Sequence, residues 1–557
     1  MNAEQLLQHF ERISEAPDAI KRLRRLILDL AVRGKLVEQD PNDEEPKDIK
    51  KQDALDAPFD LPSNWEWMRI GDQLNLLNGM AFKSTDWRTA GLRIVRIQNL
   101  NSLNSAFNFC EPDIARERSL IDNGTFLISW SGTPGTSFGA FIWERGPAVL
   151  NQHIFRCDFK TQSFIASFLL LAVNGRLDEM ISKAHGGVGL QHITKGKLEA
   201  LLIPVPPLAE QHRIVAKVDE LMSLCDQLEE AKAEREKCRD SLVAASLQVL
   251  NQPDEEEETF REHARFTFTN LPRITTRTTH IKQLRQTILN LAVRGKLVEQ
   301  VPSDEPASEL LKRIGAEKAR LVKAGEIRKP KPLPPINKED LPVAEEISGW
   351  TWIRLGEVST LVTKGSTPTS YGHAYTNEGV NFVKVESIKK GLLRPENITS
   401  FISDETNQFL SRSRLAHGDI LFSIAGSIGT CAVVTEIILP ANTNQACAII
   451  RGTQSAFVSE FLLNSLQSSV ASTVLEKARG GAMNNVSLED IKNFVVPLPP
   501  LAEQQRIVAK VDELMAICDQ LEAQITVTEQ DSRRFLESVL ADALAPGIEL
   551  REVAEVA

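Results

Sequence analysis

The sequence lacks most of the motifs by which a catalytic chain is recognised. No GxxxxGK[ST] phosphate loop occurs among its 557 residues, so we expect no ATP hydrolysis by this chain. The nine histidines include no His-Glu-x-x-His spacing, which excludes the common zinc protease motif. The (Asn/Asp)-Pro-Pro-aromatic tetrapeptide with which adenine methylases hold a flipped base is also missing. These absences favour a chain without chemistry of its own.

Paired cysteines and long apolar runs are also missing. The seven cysteines are dispersed without a Cys-x-x-Cys pair, which favours a reducing cytoplasm over a disulfide framework. The longest strongly apolar stretch, residues 164–173, is too short to span a bilayer and predicts a buried helix. The N-terminus shows no basic segment followed by an apolar run, so we expect no secretory signal. The sequence therefore predicts a cytoplasmic protein without a membrane partner.

The net charge of −11 is unevenly distributed along the chain. Residues 61–205 hold 14 basic and 12 acidic residues, and residues 341–500 hold 12 basic and 14 acidic residues. The net charges of these two blocks therefore cancel each other. The acidic excess lies in the connecting segments, where residues 254–258 alone contribute −5. Binding to an anionic partner depends on the local field at the contact face rather than on the charge of the whole chain. The charge therefore neither excludes nor supports a nucleic-acid partner.

An internal repeat dominates the sequence. The nine residues AVRGKLVEQ are identical at positions 31–39 and 292–300. A longer block, PVPPLAEQHRIVAKVDELMSLCDQLE at 204–229, matches residues 497–522 at 22 of 26 positions. Chance does not produce such similarity, so the chain contains two copies of one frame.

The inserts between the repeated blocks differ from each other. Residues 72–185 and 357–478 share a skeleton of glycines and one serine, and Asn151-Gln152 falls opposite Asn444-Gln445. Because this pair recurs in both halves, we interpret it as structural rather than discriminating. Short β-rich runs, Gly-rich turns and one helix-like apolar stretch in each half predict α/β domains.

Each copy of the long block predicts a long helix. The Pro-Pro pairs at 206–207 and 499–500 suit a helix start, and apolar residues follow at alternating spacings of four and three. These seam residues are Ile214, Val218, Leu221, Cys225 and Leu228 in the first copy, and Ile507, Val511, Leu514, Cys518, Leu521 and Ile525 in the second. A helix of about 40 residues would extend roughly 60 Å. Antiparallel packing of the two copies, beside shorter helices at 20–37 and 281–298, would bury both seams and place the inserts at opposite ends of a rod.

These patterns predict an α+β chain with an internal pseudo-twofold repeat, in which long antiparallel coiled-coil helices separate two α/β domains. A chain of this length exceeds a single core. The predicted parts are a helical region at 1–57, a first domain at 58–205, a central helical region with a linker at 206–340, a second domain at 341–500 and a C-terminal helix at 501–557.

The block P-[VL]-P-P-L-A-E-Q-x-R-I-V-A-K-V-D-E-L, present twice after two α/β domains, resembles the specificity subunits of type I restriction–modification systems. The resemblance covers nearly the whole chain. It implies that each domain is a target-recognition domain that reads one half of a bipartite, asymmetric site in double-stranded DNA. It also implies that the helices set the spacing between the two half-sites and recruit two modification subunits, which methylate adenine. Two restriction subunits, which act as an ATP-dependent endonuclease, then join this core. S-adenosylmethionine, ATP and Mg²⁺ are then expected on those partners and none on this chain.

The resemblance also indicates which residues approach DNA. The loop after the first strand of each domain, at 79–85 and 364–371, is expected at the DNA, and predicted strands at 91–97 and 379–385 carry basic residues on their outward faces. Basic side chains suit phosphate contacts, and amides suit base edges. The predicted contacts are Lys83, Ser84, Arg93, Arg96, Gln98, Gln191 and His192 in the first domain, and Lys364, Ser366, Thr367, Tyr371, Lys384, Lys389, Asn484 and Asn485 in the second.

Two alternatives account for parts of the sequence. A coiled-coil scaffold that binds only proteins explains the helices and the acidic balance, but not two divergent domains on a near-identical frame. A single-chain restriction enzyme would need the missing motifs. Asp490-Ile491-Lys492 superficially resembles a nuclease cluster, but its repeat partner is Lys197-Leu198-Glu199, so we interpret it as a helix face.

Overall fold

The chain divides into two compact units, residues 1–235 with 529–557, and residues 236–528. Each unit contains one domain, the first part of one long helix and the last turns of the other. The computed structural model describes residue 16 and residues 18–46, 57–102, 104–132, 138–176, 191–252, 257–341, 347–453, 458–468 and 485–544. In these ranges, no helix combines the length and apolarity needed to cross a membrane.

The first domain is built on two small four-stranded sheets. The antiparallel sheet has the order Leu74–Asn78, Ile154–Phe159, Thr125–Ser129 and Gly139–Trp143. The other sheet has the order Asn108–Cys110, Leu92–Val95, Ala148–Leu150 and Leu120–Ile121, and its central pair is parallel. Two further pairs join Glu66–Arg69 to Leu202–Val205, and Ser131–Gly132 to Gln191–His192. The helices are Ile70–Gln73, Ile97–Asn101, Ala166–Asn174 and Lys195–Glu199.

The second domain repeats this plan. Its antiparallel sheet has the order Ser359–Lys364, Cys447–Gly452, Ile420–Ser423 and Cys431–Val433. A three-stranded sheet has the order Phe401–Ile402, Val380–Val383 and Ala441–Thr443, with the last two strands parallel. Two pairs join Thr351–Arg354 to Val495–Leu498, and Ile388–Lys389 to Leu392–Leu393. The helices are Leu355–Val358, Asp404–Phe409, Ser459–Gln467 and Leu488–Asn493.

Central strands of both domains are buried on both faces. Alternate side chains of a strand point to opposite sides of the sheet. In Thr125–Ser129, Phe126 and Ile128 therefore enter the core that includes the domain's apolar helix, while Leu127 enters a second core with Val95. In the second domain, Ile420 and Phe422 likewise enter one core, while Leu421 enters another. The predicted fold class, mixed helix and sheet in two repeated domains, is confirmed.

The frame consists of two short and two long helices, with two further helices at Glu257–Ile274 and Ala307–Lys323. The short helices are Ala19–Val32 and Thr278–Val293, and the long helices, Leu208–Leu250 and Leu501–Leu544, contain 43 and 44 residues. The predicted length of the long helices is confirmed. The short helices end five residues earlier than predicted, because Gly34 and Gly295 adopt positive φ angles of 68° and 66° and reverse the chain.

The seam residues of the long helices are packed within each unit. Ile214, Val218 and Cys225 are buried against the first short helix, together with Leu536 from the end of the second long helix. Ile507, Val511 and Cys518 are buried against the second short helix, together with Val243 and Leu247 from the end of the first long helix. Burial raises the pKa of the Cys518 thiol to about 11, so this cysteine packs as a neutral apolar side chain. The antiparallel course of the two long helices stays a prediction.

The repeated Glu-Gln of each long block fastens a domain to its long helix. Gln211 accepts a hydrogen bond from the backbone N–H of Ile165 at 2.9 Å and donates to Ser163 O at 2.7 Å. Gln504 accepts from the N–H of Val458 at 3.0 Å in the second unit. Both glutamines are fully buried, and each joins the start of the apolar helix of its domain to the frame.

Candidate nucleic-acid interface

The ends of three strands of the first domain meet at one loop, residues 151–153, which we call the first central loop. The N–H of Asn151 donates to Val95 O at 2.9 Å, at the end of one strand. Gly79 follows a second strand, and a Cβ atom at this position would lie 2.2 Å from Asn151 O. Trp130 follows a third strand and donates its backbone N–H to the carbonyl of the loop's last residue at 3.3 Å. Segments separated by tens of residues therefore share one edge of the domain.

The second central loop, residues 444–446, organises the second domain in the same way. A Cβ atom at Gly365 would lie 2.1 Å from Asn444 O, and Ile424 donates its N–H to the carbonyl of the last loop residue at 2.9 Å. The N–H of Ser366 donates to Thr443 O at 3.0 Å. The backbone of Asn151 and of Asn444 thus holds each loop in place, and the glycines opposite them allow the close approach. The structural role of the repeated Asn-Gln side chains stays a prediction.

A basic side chain lies over an aromatic ring at the same place in both domains. The guanidinium of Arg96 lies 5.5 Å from the Trp87 ring, and the ammonium of Lys384 lies 4.8 Å from the Tyr375 ring. Both aromatic side chains remain exposed, Trp87 by 44% and Tyr375 by 38%. These cation–π pairs present a positive charge and an apolar face together.

Arg96 and Lys384 were predicted from the sequence, whereas Trp87 and Tyr375 were not. The two pairs share no identical residue, because tryptophan aligns with tyrosine and arginine aligns with lysine when the two halves are compared. The available signal was spacing, since each aromatic residue precedes its basic partner by nine positions.

The predicted loop contacts of the first domain are exposed. Lys83 and Ser84 lie in the turn after Leu74–Asn78, where Asp86 accepts a hydrogen bond from Lys83 N at 2.7 Å. This strand is the second of the domain rather than the first, because Glu66–Arg69 precedes it.

The predicted strand at 91–97 is three residues too long, because the strand is Leu92–Val95. It ends at Val95, and a short helix begins at Ile97, so Arg96 lies at the start of a helix and not on the outward face of a strand. Gln98 lies on that helix, where its amide donates to Ala106 O at 3.4 Å. Arg93 remains on the strand, but its guanidinium donates to Arg145 O at 2.6 Å, which ties it to the domain. The prediction for 379–385 was also too long, since that strand is Val380–Val383.

Ring side chains gather beside the first central loop. The Trp130 ring lies 5.2 Å from the His153 ring and 6.1 Å from the ring of His192, which was a predicted contact. Burial and the nearby His192 lower the pKa of His153. Trp130 and His153 were missed because the tertiary fold alone brings them to His192. The side chain of Gln191 lies outside the described residues.

In the second domain, Lys364 is exposed at the end of its strand, and Thr367 precedes a turn at Pro368–Tyr371. Tyr371 is 56% exposed and packs on Phe409, which is equally exposed, with ring centroids 5.7 Å apart. Phe409 was missed because it lies far from the predicted loop in sequence. These residues add an aromatic surface to the predicted basic one.

A cleft of about 590 Å³ lies beside the second central loop. Lys389, Glu386 and Asn444 line it together with the glycine turn at 425–427. Asn485 is exposed and bridges Ala425, so it lies at the same turn. Asn484 lies outside the described residues. The described residues contain no cluster of three metal-ligating side chains.

The segment 490–492, which superficially resembles a nuclease cluster, lies on a helix, as predicted. Ser487 and Asp490 cap the helix Leu488–Asn493, and Ile491 is fully buried. Asp490 accepts a hydrogen bond from Ser487 N at 2.9 Å, so its carboxylate is occupied by the cap.

A protein-family model described as the type I restriction modification DNA specificity domain matches residues 62–236 and 347–528. The chain is 30% identical to the type I restriction enzyme EcoAI specificity subunit of Escherichia coli, over 94% of this chain and 93% of that one. It is 29% identical to the EcoEI specificity subunit of the same organism, again over 94% and 93%. The solved HsdS subunit from Thermoanaerobacter tengcongensis superposes with a TM-score of 0.43 and 19% identity, over 87% of this chain and 98% of that one.

Proposed function

Because the chain belongs to the type I restriction modification DNA specificity family, we propose that it reads a bipartite, asymmetric site in double-stranded DNA, one half with each domain. The observation that carries this proposal is the pair of central loops, at 151–153 and 444–446. Each gathers strand ends, exposed basic side chains and polar groups at one edge of its domain. An edge with these properties suits phosphate and base contacts.

Backbone contacts and base contacts are divided between different residues. Arg96 and Lys384, each held over an exposed ring, contact phosphate or deoxyribose and position the duplex. Three lysines add to the positive surface, because they are exposed and their ammonium groups form no ion pair among the described residues: Lys83, Lys364 and Lys389. Base edges are read by polar side chains beside the central loops. Different side chains on the same plan give two unlike half-sites.

The frame is proposed to recruit the catalytic partners. Arg24 pairs with Asp226, and Arg285 pairs with Asp519, so the short and long helices are joined alike in both units. Two equivalent frames offer two modification subunits equivalent surfaces, and two restriction subunits join that core. Methylation of adenine, with S-adenosylmethionine, and DNA cleavage, with ATP and Mg²⁺, then belong to those subunits, and this chain performs no catalysis.

The long helices also set the distance between the half-sites. A helix of 43 residues extends about 64 Å at 1.5 Å per residue. That length is sufficient to separate two half-sites by about one turn of DNA, roughly 34 Å. Rigid helices fix such a spacing better than a flexible linker would.

Mapping methylated adenines across the genome of a cell that carries the complete system tests this function. We expect one motif, made of two unlike half-sites around a spacer of fixed length. Deleting this chain while keeping the modification subunit should abolish the motif. A single continuous motif, or methylation that persists without this chain, would overturn the proposal.

A further inference from the structure

Trp130, His153 and His192 occupy one spot beside the first central loop. The N–H of Trp130 donates to His153 O at 3.3 Å, and the carbonyl of Trp130 accepts from Ile193 N at 3.0 Å. Strand pairing places His192 opposite Ser131. The backbone of this spot is therefore fixed by hydrogen bonds, and the Trp130 ring contacts the rings of both histidines.

The second domain has the same backbone contacts at this spot with other side chains. The N–H of Ile424 donates to Ala446 O at 2.9 Å, and the carbonyl of Ile424 accepts from Val486 N at 3.0 Å. Ala425 bridges Asn485 as Ser131 pairs with His192. Tryptophan is thus replaced by isoleucine, and the two histidines by alanine and asparagine.

The scaffold around the spot does not vary with these side chains. The hydroxyl of Ser129 donates to Ser131 O at 2.8 Å, and the hydroxyl of Ser423 donates to Ala425 O at 2.9 Å. Asn485 is exposed and His192 is half-exposed, so core packing does not require these two residues to differ. Variation at accessible positions on a constant backbone is what discrimination between two half-sites requires.

We propose that His192 and Asn485 are equivalent specificity-determining residues, Asn485 reading an adenine in one half-site and His192 a guanine in the other. A carboxamide presents a donor and an acceptor side by side, which matches N6 and N7 of adenine. An imidazole has its two nitrogens on different edges of the ring, so it offers one base a single donor, which suits N7 or O6 of guanine. Trp130 and His153 are positioning residues that orient His192.

Exchanging the two residues tests this inference, which rests on the proposed function. The variants are His192→Asn and Asn485→His in the full chain, expressed with its partner subunits, and the readout is the genome-wide map of methylated adenines. We expect His192→Asn to change one position of one half-site from guanine towards adenine, and Asn485→His to weaken one adenine of the other half-site. A good base contact gives a preference of about tenfold, so a shift of that size is expected at each position.

His417→Asn is the matched control, because it makes the same exchange at an exposed histidine before the strand Ile420–Ser423, at the end of that strand away from the spot. It is expected to leave the recognised sequence unchanged. If both exchanges also leave the sequence unchanged, or if either alters both half-sites, the inference is wrong although the proposed function stands. If the wild-type chain itself gives no bipartite motif, the proposed function fails first.

A variant that abolishes methylation is judged by binding instead. The purified complex is titrated with duplexes that carry each of the four bases at every position of the affected half-site. A changed preference at one position supports the assignment. Equal weakening on all duplexes overturns it, because that result means the residue only supports the fold or the backbone contacts.

Discussion

The carboxylate of Glu503 accepts the indole N–H of Trp350 at 2.9 Å, while its second oxygen is buried without a hydrogen-bond partner among the described residues. In the first unit, Glu210 accepts from Trp65 at 2.9 Å, and its second oxygen accepts from Gln39 at 2.6 Å. The repeated sequence block thus makes the same contact twice, but only one copy is fully satisfied.

Replacing Glu503 with glutamine is expected to stabilise the chain at neutral pH. Burial raises the pKa of Glu503, so folding favours the protonated carboxyl, and that contribution is present below the unfolded pKa of about 4.3 and lost as pH rises through the folded pKa. A glutamine keeps an acceptor for Trp350 and buries no charge. Thermal melts at pH 7 and near pH 4 should show an advantage of Glu503→Gln that shrinks at the lower pH.

Two variants control this result. Glu210→Gln should stabilise less, because Gln39 already satisfies the second oxygen of Glu210. Glu503→Ala should destabilise by about 1–3 kcal/mol, because it leaves the Trp350 N–H without an acceptor. A lower melting temperature for Glu503→Gln at neutral pH would contradict the expected cost of the buried charge.

Gly365→Ala is expected to disturb the second half-site. Its Cβ atom would lie 2.1 Å from Asn444 O, and because the atoms that it would meet belong to the backbone, the second central loop must shift at a cost of about 1–3 kcal/mol. Gel-shift titration should show weaker DNA binding by the complex, and melting should show a destabilised chain. Gly196→Ala is the control, since nothing lies within 4 Å of a Cβ there. Unchanged melting and binding of Gly365→Ala would refute the close approach.

Lys384→Met is expected to weaken DNA binding without changing the recognised sequence. Loss of one phosphate contact should lower the slope of log affinity against log salt by about one, equally on specific and unrelated duplexes. Titration at several salt concentrations measures the slope. Lys312→Met is the control, because Lys312 pairs with Glu309 on a frame helix. An unchanged slope would mean that Lys384 serves only the Tyr375 contact.

Leu514→Pro is expected to abolish recruitment of the modification subunit. Proline within the long helix removes a backbone hydrogen bond and costs about 3 kcal/mol or more. Co-purification of the two subunits and adenine methylation in the cell should both be lost. Leu514→Ala shortens the same half-buried side chain without breaking the helix and should retain recruitment. Normal methylation by Leu514→Pro would remove the role that we assign to the frame.

Replacing residues 72–185 with those of a relative is expected to change one half-site only. The insert carries the first central loop with Trp130 and His153, while His192 and the Glu210–Trp65 contact lie outside it. Gln211 reaches the insert only through backbone groups, which a replacement insert also offers. Methylation mapping should therefore show one new half-site, one old half-site and the old spacing. A change in both halves would mean that the domains do not read independently.

The sequence by itself determined the frame. Identical strings at 31–39 and 292–300 and seam spacings of four and three are local signals, and local periodicity specifies a helix and its buried face. The burial of Cys225 and Cys518 in the seams followed from that spacing alone. The same blocks carried the resemblance to the family. Their buried glutamates and glutamines occur in both copies, where each domain is fastened to a long helix.

Only the tertiary structure decided which residues share the interface. Trp130, His153 and His192 are separated by tens of residues, and Phe409 meets Tyr371 across a similar separation, so no period in the sequence joins them. Strand pairing brings them together, and the register of such pairing depends on contacts between distant segments. Helix and strand ends were misjudged at Gly34 and Val95 for a related reason. The position of a chain reversal or a turn depends on the segments that it packs against as well as on its own residues.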